Sequence, residues 1–441
     1  MKFVPKNEGR MKMDAPKRTR SCRRDQPTAP SHQSRGSRQI CLPLDRETSH
    51  RIWDDAQAVR LLVENFVNQH PELVPKSMTQ GFTLCGKLPP SKKLAGVCLR
   101  RVRVTETDEN GHSTTKDFFL RPSFVLPYCR GTVEEVEKGL RLLSYGVPYH
   151  VVASCFGRNA MFWYRLEQSL GRNSLVGTTV RDPQALPPHL AADEHHARWC
   201  GEAAFVAVTA GGNCLLGIAF SNTAGEVDLT AAYGRFRDEA GAVSAAYAPQ
   251  TVNTDGWKAT QAAWRTLFPK MVLILCFLHG SLKIRDRCRK AFELHGKVWE
   301  VYQAASAQAF REKMESFRQW CAARWRSGPI HEALEKLWSR TEEYVLSYSH
   351  PGCYRTSNQV DRPMNALYRL LYANRTLHGH LDTAEFRLRG WALLMNFRPF
   401  EPQTRRRTGY QSAAHRLNKR TYHDHWLHNL YISASLGGFR A

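Results

Sequence analysis

The chain has 441 residues, of which 42% are hydrophobic and 10% aromatic, which excludes a wholly disordered protein. Lys and Arg number 63 against 40 Asp and Glu, and the resulting net charge of +23 indicates a polyanionic partner, most often a nucleic acid. No apolar run approaches the roughly 18 residues of a membrane span, and no hydrophobic stretch of a secretory signal follows the N-terminus. The 12 cysteines form no Cys-x-x-Cys pair, which argues against a zinc ribbon or a thioredoxin motif and favours a reducing cytoplasm.

Residues 1–45 are predicted to be a disordered basic tail, because the first 40 residues hold 11 Lys or Arg, three Asp or Glu and few apolar side chains. Such a tail either binds phosphates non-specifically or is a solvated leader. Residues 46–130 are predicted to be a small α+β region with an amphipathic helix over 49–68. An Asn-Gly turn at 110–111 predicts a hairpin within 96–124.

Residues 131–172 have the layout of a helix-turn-helix. Thr132 and Glu135 form a capping-box pattern, and the periodicity predicts three helices separated by a Gly-Val-Pro break and a Gly-Arg-Asn turn. An ordinary small helical bundle is the alternative. In the DNA-binding interpretation, the third helix presents these polar residues to DNA: Arg158, Asn159 and Arg165. The Gly- and Pro-rich segment 171–188 is predicted to be a linker and a domain boundary.

Residues 185–400 are predicted to be an α/β domain built on a mixed sheet. Apolar runs and turn signals predict the order β-β-β-α-β-α-β, which is that of a ribonuclease H-like core. In such a core, acidic residues at strand ends meet at one edge of the sheet. Asp193 and Asp255 both stand where an apolar segment gives way to a loop or a helix.

Three segments in this region resemble the DDE transposases, specifically the Mutator-like group and its prokaryotic insertion-sequence relatives. The first is Asp193 in ADEHH, which precedes the predicted hairpin. The second is Asp255 in NTDGW, followed after the next strand by a Cys-x-x-His pair, Cys276 and His279. The third is TSNQVDR, where Asp361 occupies the place of the Glu in the family's Thr/Ser-Asn-x-x-Glu segment. The resemblance covers about 189–400, which is half of the chain.

The resemblance implies an enzyme that binds the terminal inverted repeats of a mobile element, cleaves its ends and joins them to target DNA. Its catalytic residues would be Asp193, Asp255 and Asp361. Two divalent cations about 3.5–4 Å apart, Mg²⁺ or Mn²⁺, suit this chemistry because hard cations prefer carboxylate ligands. Asp193 would bridge both cations, with one held by each of the other two acids. The alternative for each Asp is that it only caps a helix or a turn. Asp255 stands beside a glycine and would hold a turn, and Asp361 would stabilise a helix dipole.

The chain departs from the family pattern at two points. Its third acid is Asp rather than Glu, with Glu385 or Glu343 as substitutes if Asp361 is misaligned. The second and third acids are 106 positions apart, which predicts a helical insertion over about 285–348. The last segment, 401–441, is predicted to be a basic C-terminal extension.

Other residues near the acids have weaker assignments. Arg355 and Arg362 flank the third acid and are predicted to bind DNA phosphates, although exposed salt bridges would also explain them. Cys276 and His279 are candidate accessory residues near the metals. The alternatives are a core role for Cys276 and a structural role for His279, because two ligands alone do not make a zinc site.

The sequence therefore predicts a DDE-type transposase that works on double-stranded DNA as a homo-oligomer. It would be cytoplasmic and associated with the nucleoid in a prokaryote. Two alternatives stay open: a catalytically idle, domesticated transposase that acts as a DNA-binding regulator, and a ribonuclease H-like nuclease that only hydrolyses DNA.

Overall fold

The computed structural model describes residues 37–94, 96–107, 111–287, 292–374 and 377–439. The predicted tail lies outside these ranges up to residue 36. The fold is α/β with two mixed sheets, and the residues in these ranges form one compact unit.

The first sheet has the strand order β1-β4-β3-β2, with β1 parallel to β4. Its strands are β1 (Gln39–Leu42), β2 (Thr83–Lys87), β3 (Arg100–Thr107) and β4 (Ser113–Pro122). Three helices accompany them: α1 (Arg46–Ile52), α2 (Ala56–Gln69) and α3 (Lys76–Gln80). The hairpin prediction is confirmed by the antiparallel pairing of β3 and β4, whose turn is described only from Gly111.

Two boundaries predicted for this region are wrong. The tail does not extend to residue 45, because Ile40, Cys41 and Leu42 are buried as β1 in the core. The single helix predicted over 49–68 is two helices. Asp55 interrupts it, because its carboxylate accepts hydrogen bonds from two backbone amides of the next turn and thereby starts α2.

Three helices lie where the helix-turn-helix pattern predicts them: α4 (Val133–Ser144), α5 (Tyr149–Phe156) and α6 (Ala160–Gly171). The capping box of Thr132 and Glu135 begins α4 as predicted. The predicted linker contains a short helix, α7 (Leu175–Thr179), whose residues are all buried. It is not a free linker, because the partly buried carboxylate of Glu239 accepts hydrogen bonds from the first amides of α7 and pairs with Arg389.

The second sheet has the order β7-β6-β5-β8-β9. Its strands are β5 (His189–Trp199), β6 (Glu202–Gly211), β7 (Cys214–Ser221), β8 (Thr251–Thr254) and β9 (Val272–Leu275). Helices α8 (Glu226–Val243) and α9 (Lys258–Leu267) follow β7 and β8, so the predicted order β-β-β-α-β-α-β is confirmed. Strands β5, β8 and β9 are parallel, whereas β6 is antiparallel to both of its neighbours.

The predicted insertion is helical in its described part, 285–287 and 292–348, where the structure contains no strand. Its helices are α10 (Phe277–Arg287, which begins before it), α11 (Phe292–Tyr302), α12 (Ala307–Ala322), α13 (Pro329–Trp338) and α14 (Thr341–Val345). They enclose a hydrophobic core of their own around Phe310, Leu334 and Leu337. Two long helices then return to the sheet: α15 (Asn358–Ala373) and α16 (Leu381–Phe397).

The C-terminal segment is folded and partly buried. It comprises α17 (Pro402–Thr408), α18 (Ala413–Asn418) and α19 (Trp426–Ser433). The last helix is buried along its whole length and packs on β1, α4 and α16, and the Cys41 amide donates to Ser435 Oγ over 3.0 Å. Within the described parts of the chain, no helix combines the length and the apolar character that crossing a membrane requires.

Candidate active site

Asp193 and Asp255 lie beside each other because of the register of the parallel strands. Ala191 pairs with Asn253 in β8, and Asn253 pairs with Ile274 in β9. Continued by two residues, this register places Asp193 of β5 beside Asp255, the first residue after β8, and beside Cys276, the first residue after β9. Neighbouring strands are about 4.8 Å apart, so these side chains share one face of the sheet within contact range.

The position of Asp193 differs from the prediction. It lies within the long strand β5 rather than at its end, and it is β8 that ends, at Thr254. The sheet edge at the acids is therefore formed by β8 and β9, whereas β5 continues beyond them to Trp199.

The two carboxylates interact unfavourably in the ionised state. Burial, followed by the charges of Glu194 and Asp255, raises the pKa of Asp193. One oxygen of each acid is already engaged locally: Asp193 accepts from the Glu194 amide over 2.9 Å, and Asp255 accepts from the Trp257 amide over 2.8 Å. The latter bond is the turn role anticipated for Asp255, and it leaves the second oxygen for another partner.

Asp361 reaches this site through two intermediate side chains. The Ser357 hydroxyl lies 2.9 Å from Asp361 Oδ2 and 3.3 Å from the Cys276 thiol, which is level with the other acids. Asp361 lies in the first turn of α15, which packs on β5 and β6. The structure thus brings Asp193 and Asp255 together and places Asp361 on the neighbouring helix.

His279 stands against the acids from the first turn of α10. Its interaction with Cys276 is the main cause of a raised imidazole pKa, opposed by burial and supported by Asp193 and Asp255. Burial opposes ionisation of the Cys276 thiol, but His279 and Ser357 lower its pKa overall. Cys276 is buried as predicted. It also contacts the site, because its sulfur accepts a hydrogen bond from the Ser357 amide.

A fourth carboxylate, Glu194, lies on the opposite face of β5. It accepts hydrogen bonds from Tyr233 of α8 over 2.6 Å and from Thr260 of α9 over 2.7 Å. Burial is the main cause of its raised pKa. Glu194 therefore ties the strand that carries Asp193 to both helices behind the sheet.

The insertion contributes a cation beside the acids. A Cβ atom on Gly256 would lie 2.6 Å from the guanidinium of Arg340, and Asp255 contributes to a raised pKa of Arg340 whose main cause is Glu343. Glu343 pairs with Arg340 at 2.7 Å, so that this arginine links it to Asp255. The other substitute acid, Glu385, accepts a hydrogen bond from the Phe220 amide of β7 and pairs with Arg235 of α8. It therefore lies at β7, the far edge of the sheet.

The two arginines that flank the third acid have different surroundings. Arg355 stacks on Tyr302 and Tyr348 and donates to both, so it fastens the insertion to the core, and its role in binding phosphate stays a prediction. Arg362 is exposed on α15.

The three polar residues predicted to face DNA are exposed on or before α6. Asn159 uses its side-chain oxygen to cap the helix, accepting from the Phe162 amide over 2.8 Å. Arg158 has a positive φ of 62°, pairs with Glu135 at 3.4 Å and lies over the Phe162 ring. The opposite face of α6 packs closely on α16.

The carboxylates of Asp193 and Asp255 are of the ligand type that a hard divalent cation prefers. They are adjacent, and a cation would relieve their repulsion. Among the residues that the structure describes, no three His, Cys, Asp or Glu side chains are arranged to hold a metal ion together. A complete site would need Asp361 to turn from Ser357 toward the pair.

Sequence reasoning missed three contributors to this site. Arg340, Tyr233 and Thr260 come from three separate elements, and only the tertiary contacts reveal them. Ser357 lies in the segment that the sequence singles out, but its contact with Cys276 follows only from the fold. Glu194 stands beside Asp193 in the sequence, and strand alternation alone would have assigned it to the opposite face. No family model matches the chain, and no curated protein is similar to it.

Proposed function

We propose that this chain is a DDE-type transposase that cleaves DNA at the ends of a mobile element and transfers the freed strand to target DNA. The observation that carries the proposal is that Asp193 in β5 lies beside Asp255, which directly follows the adjacent parallel strand β8, while Asp361 is in the first turn of the helix that packs on the same sheet. The strand order of the second sheet, with an antiparallel second strand, fits a ribonuclease H-like core.

In this proposal, Asp193 and Asp255 hold the metal and Asp361 completes its ligands. Bound Mg²⁺ or Mn²⁺ would stabilise the negative charge that develops on the oxygens of a phosphodiester under attack. Glu194 keeps β5 in place from behind the sheet through Tyr233 and Thr260. The imidazole of His279, with its raised pKa, holds a proton beside the acids and can donate a hydrogen bond to a phosphate oxygen.

DNA binding is assigned to the helix-turn-helix formed by α4, α5 and α6 and to the wider basic surface. The net charge of +23 supports it, because Lys and Arg contacts to phosphates release counterions and favour binding at low salt. Arg165 is exposed on the outer face of α6, where the proposal places the DNA groove.

The test is Mg²⁺-dependent cleavage and joining of labelled DNA taken from the sequences that flank the gene, where the ends of a mobile element lie. We expect Asp193→Asn and Asp255→Asn each to abolish both steps and to retain DNA binding, because Asn keeps the shape but loses the charge. Asp361→Asn should do the same, and Asp361→Glu should keep part of the activity. Asp228→Asn is the matched control, a half-buried acid in the first turn of α8 that accepts a hydrogen bond from Thr223.

Three results would redirect the proposal. Full activity of one Asn variant removes that residue from the site. Cleavage without joined product indicates a nuclease that only hydrolyses DNA. Binding of the ends by the wild-type protein without cleavage in Mg²⁺ or Mn²⁺ indicates a DNA-binding regulator.

A further inference from the structure

A cavity of about 720 Å³ lies beside the acids, between the outer half of β5 and the second half of α15. Its walls include His195 and Arg198 from the strand and Tyr368, Leu371 and Tyr372 from the helix. Its volume is within the range of about 300–1,000 Å³ that is usual for sites of small organic ligands.

The side of the cavity formed by α15 lies on the same face of that helix as Asp361. Tyr368 and Tyr372 follow Asp361 by 7 and 11 residues. At about 100° per residue, both positions lie within roughly 20° of the direction of Asp361 around the helix axis. The rise of about 1.5 Å per residue puts Tyr368 about 10 Å along the axis from the acid.

The strand wall continues from the first acid in the same way. His195 is two residues beyond Asp193 and therefore lies on the same face of β5. Its ring is 6.1 Å from that of Tyr368 in an edge-to-face arrangement. Beyond the cavity, Trp199 and Leu377 form a parallel bridge, so strand and helix run side by side away from the acids.

The two tyrosines are unusually exposed for aromatic side chains. Tyr368 is 57% and Tyr372 78% exposed, and their rings lie 6.2 Å apart at an angle of 23°. Such rings offer apolar faces on which any nucleobase can stack, whatever the sequence. Bases in an intact duplex cannot reach them, because their faces are covered by their neighbours in the stack.

The charges around the cavity favour a nucleic-acid strand over an apolar peptide. Arg198 is exposed at its rim, and Arg362 and Arg369 are exposed on α15. Guanidinium groups beside aromatic faces match the alternation of phosphates and bases along a single strand.

We propose that this cavity binds an unpaired nucleotide of the DNA strand that enters the active site, with its base stacked on Tyr368 and Tyr372. The inference rests on the proposed function, since it assigns the strand beside the scissile phosphate to this groove. It explains why two aromatic rings are exposed on the face of α15 that carries Asp361.

The experiment measures binding of a labelled single strand and of a blunt duplex of the same sequence by the full chain, without divalent metal. We expect Tyr368→Ala and Tyr372→Ala each to weaken single-strand binding by roughly tenfold or more, and duplex binding by less than about twofold. Tyr368→Phe and Tyr372→Phe should retain most of the affinity, because the ring does the stacking. Tyr128→Ala is the matched control, because Tyr128 is 58% exposed.

A second readout places 2-aminopurine in the strand. Stacking on tyrosine in the wild-type protein should quench its fluorescence, and both Ala variants should restore it. Unchanged quenching overturns the inference, as does an equal loss of single-strand and duplex affinity. A loss of self-association without a change in single-strand binding also overturns it, because the groove then binds a second copy of the chain.

The two proposals fail separately. If the tyrosine variants lose single-strand affinity but the wild-type protein does not cleave DNA, the stacking site is supported and the transposase proposal is refuted. If the Asn variants of the acids lose cleavage while the tyrosine variants bind and quench like wild type, the reverse holds.

Discussion

Asp193 should destabilise the metal-free protein at neutral and higher pH, so removing its charge should stabilise the fold. Burial, with the charges of Glu194 and Asp255, raises the pKa of this carboxyl from its ordinary 3.8 to about 7. As the pH rises through this window, the unfolded chain releases the proton before the folded protein does, and stability falls.

The size of the effect follows from that difference. About three pH units at about 1.36 kcal/mol each give roughly 4 kcal/mol as an upper value, and residual solvent around the side chain reduces this to about 2–4 kcal/mol. The Asp193→Asn variant mimics the protonated acid. Its free energy of unfolding should exceed that of wild type by this amount near pH 8 and should match it near pH 3, where Asp193 is protonated in both the folded and the unfolded state.

Urea unfolding of both proteins across this pH range, without metal, measures the effect. Asp117→Asn is the control with the opposite sign, because a hydrogen bond from Arg103 lowers the pKa of Asp117, which then favours folding at higher pH. Added Mg²⁺ should stabilise wild type and not Asp193→Asn, since only the folded wild type offers the carboxylate pair. Equal unfolding free energies of wild type and Asp193→Asn near pH 8 would refute the reasoning.

Three further predictions concern packing, a buried ion pair and DNA. Gly390→Ala should destabilise the fold by about 2 kcal/mol or more, because the added Cβ would lie 2.1 Å from the Glu167 carbonyl oxygen. Gly241→Ala is the control and should not destabilise the fold, because no atom lies within 4 Å of its Cβ. Thermal unfolding of the two variants measures the difference. Glu239→Ala should cost about 3–5 kcal/mol, measured by urea unfolding, because it leaves the charge of Arg389 buried without its partner. If the proposed DNA binding is right, Arg165→Ala should weaken binding to duplex DNA and reduce its salt dependence by about one phosphate contact, measured by titration at several salt concentrations.

The elements that the sequence predicted well have strong local signals. The hairpin of β3 and β4 follows from an Asn-Gly turn, and α4 follows from its capping box. The segment 171–188 was misjudged because Gly and Pro suggest a loop, whereas its burial comes from Arg389 and Glu239, far away in the sequence. Strand β1 was missed because four residues beside a basic tail carry little periodic signal.

In the candidate site, too, local sequence signals predict some features, whereas tertiary contacts determine the others. The sequence segments around Asp193 and Asp255 single out both residues as candidate site acids. Their adjacency follows from the strand register, which the positions of the apolar runs predict only approximately. The bond that holds Asp361 to Ser357 depends on a side-chain conformation and could not be predicted. Arg340 comes from the insertion, whose packing against the sheet is a tertiary property that no local pattern encodes.

The meeting of β1 with the segment after α19 has a consequence for synthesis. The amide of Cys41 donates to Ser435, almost 400 positions later, and both residues are buried in one hydrophobic core. A chain emerging from the ribosome cannot complete that core until α19 has left the exit tunnel, so final folding follows translation. Chains truncated by a stop codon before Trp426 should therefore be degraded rather than accumulate as folded protein.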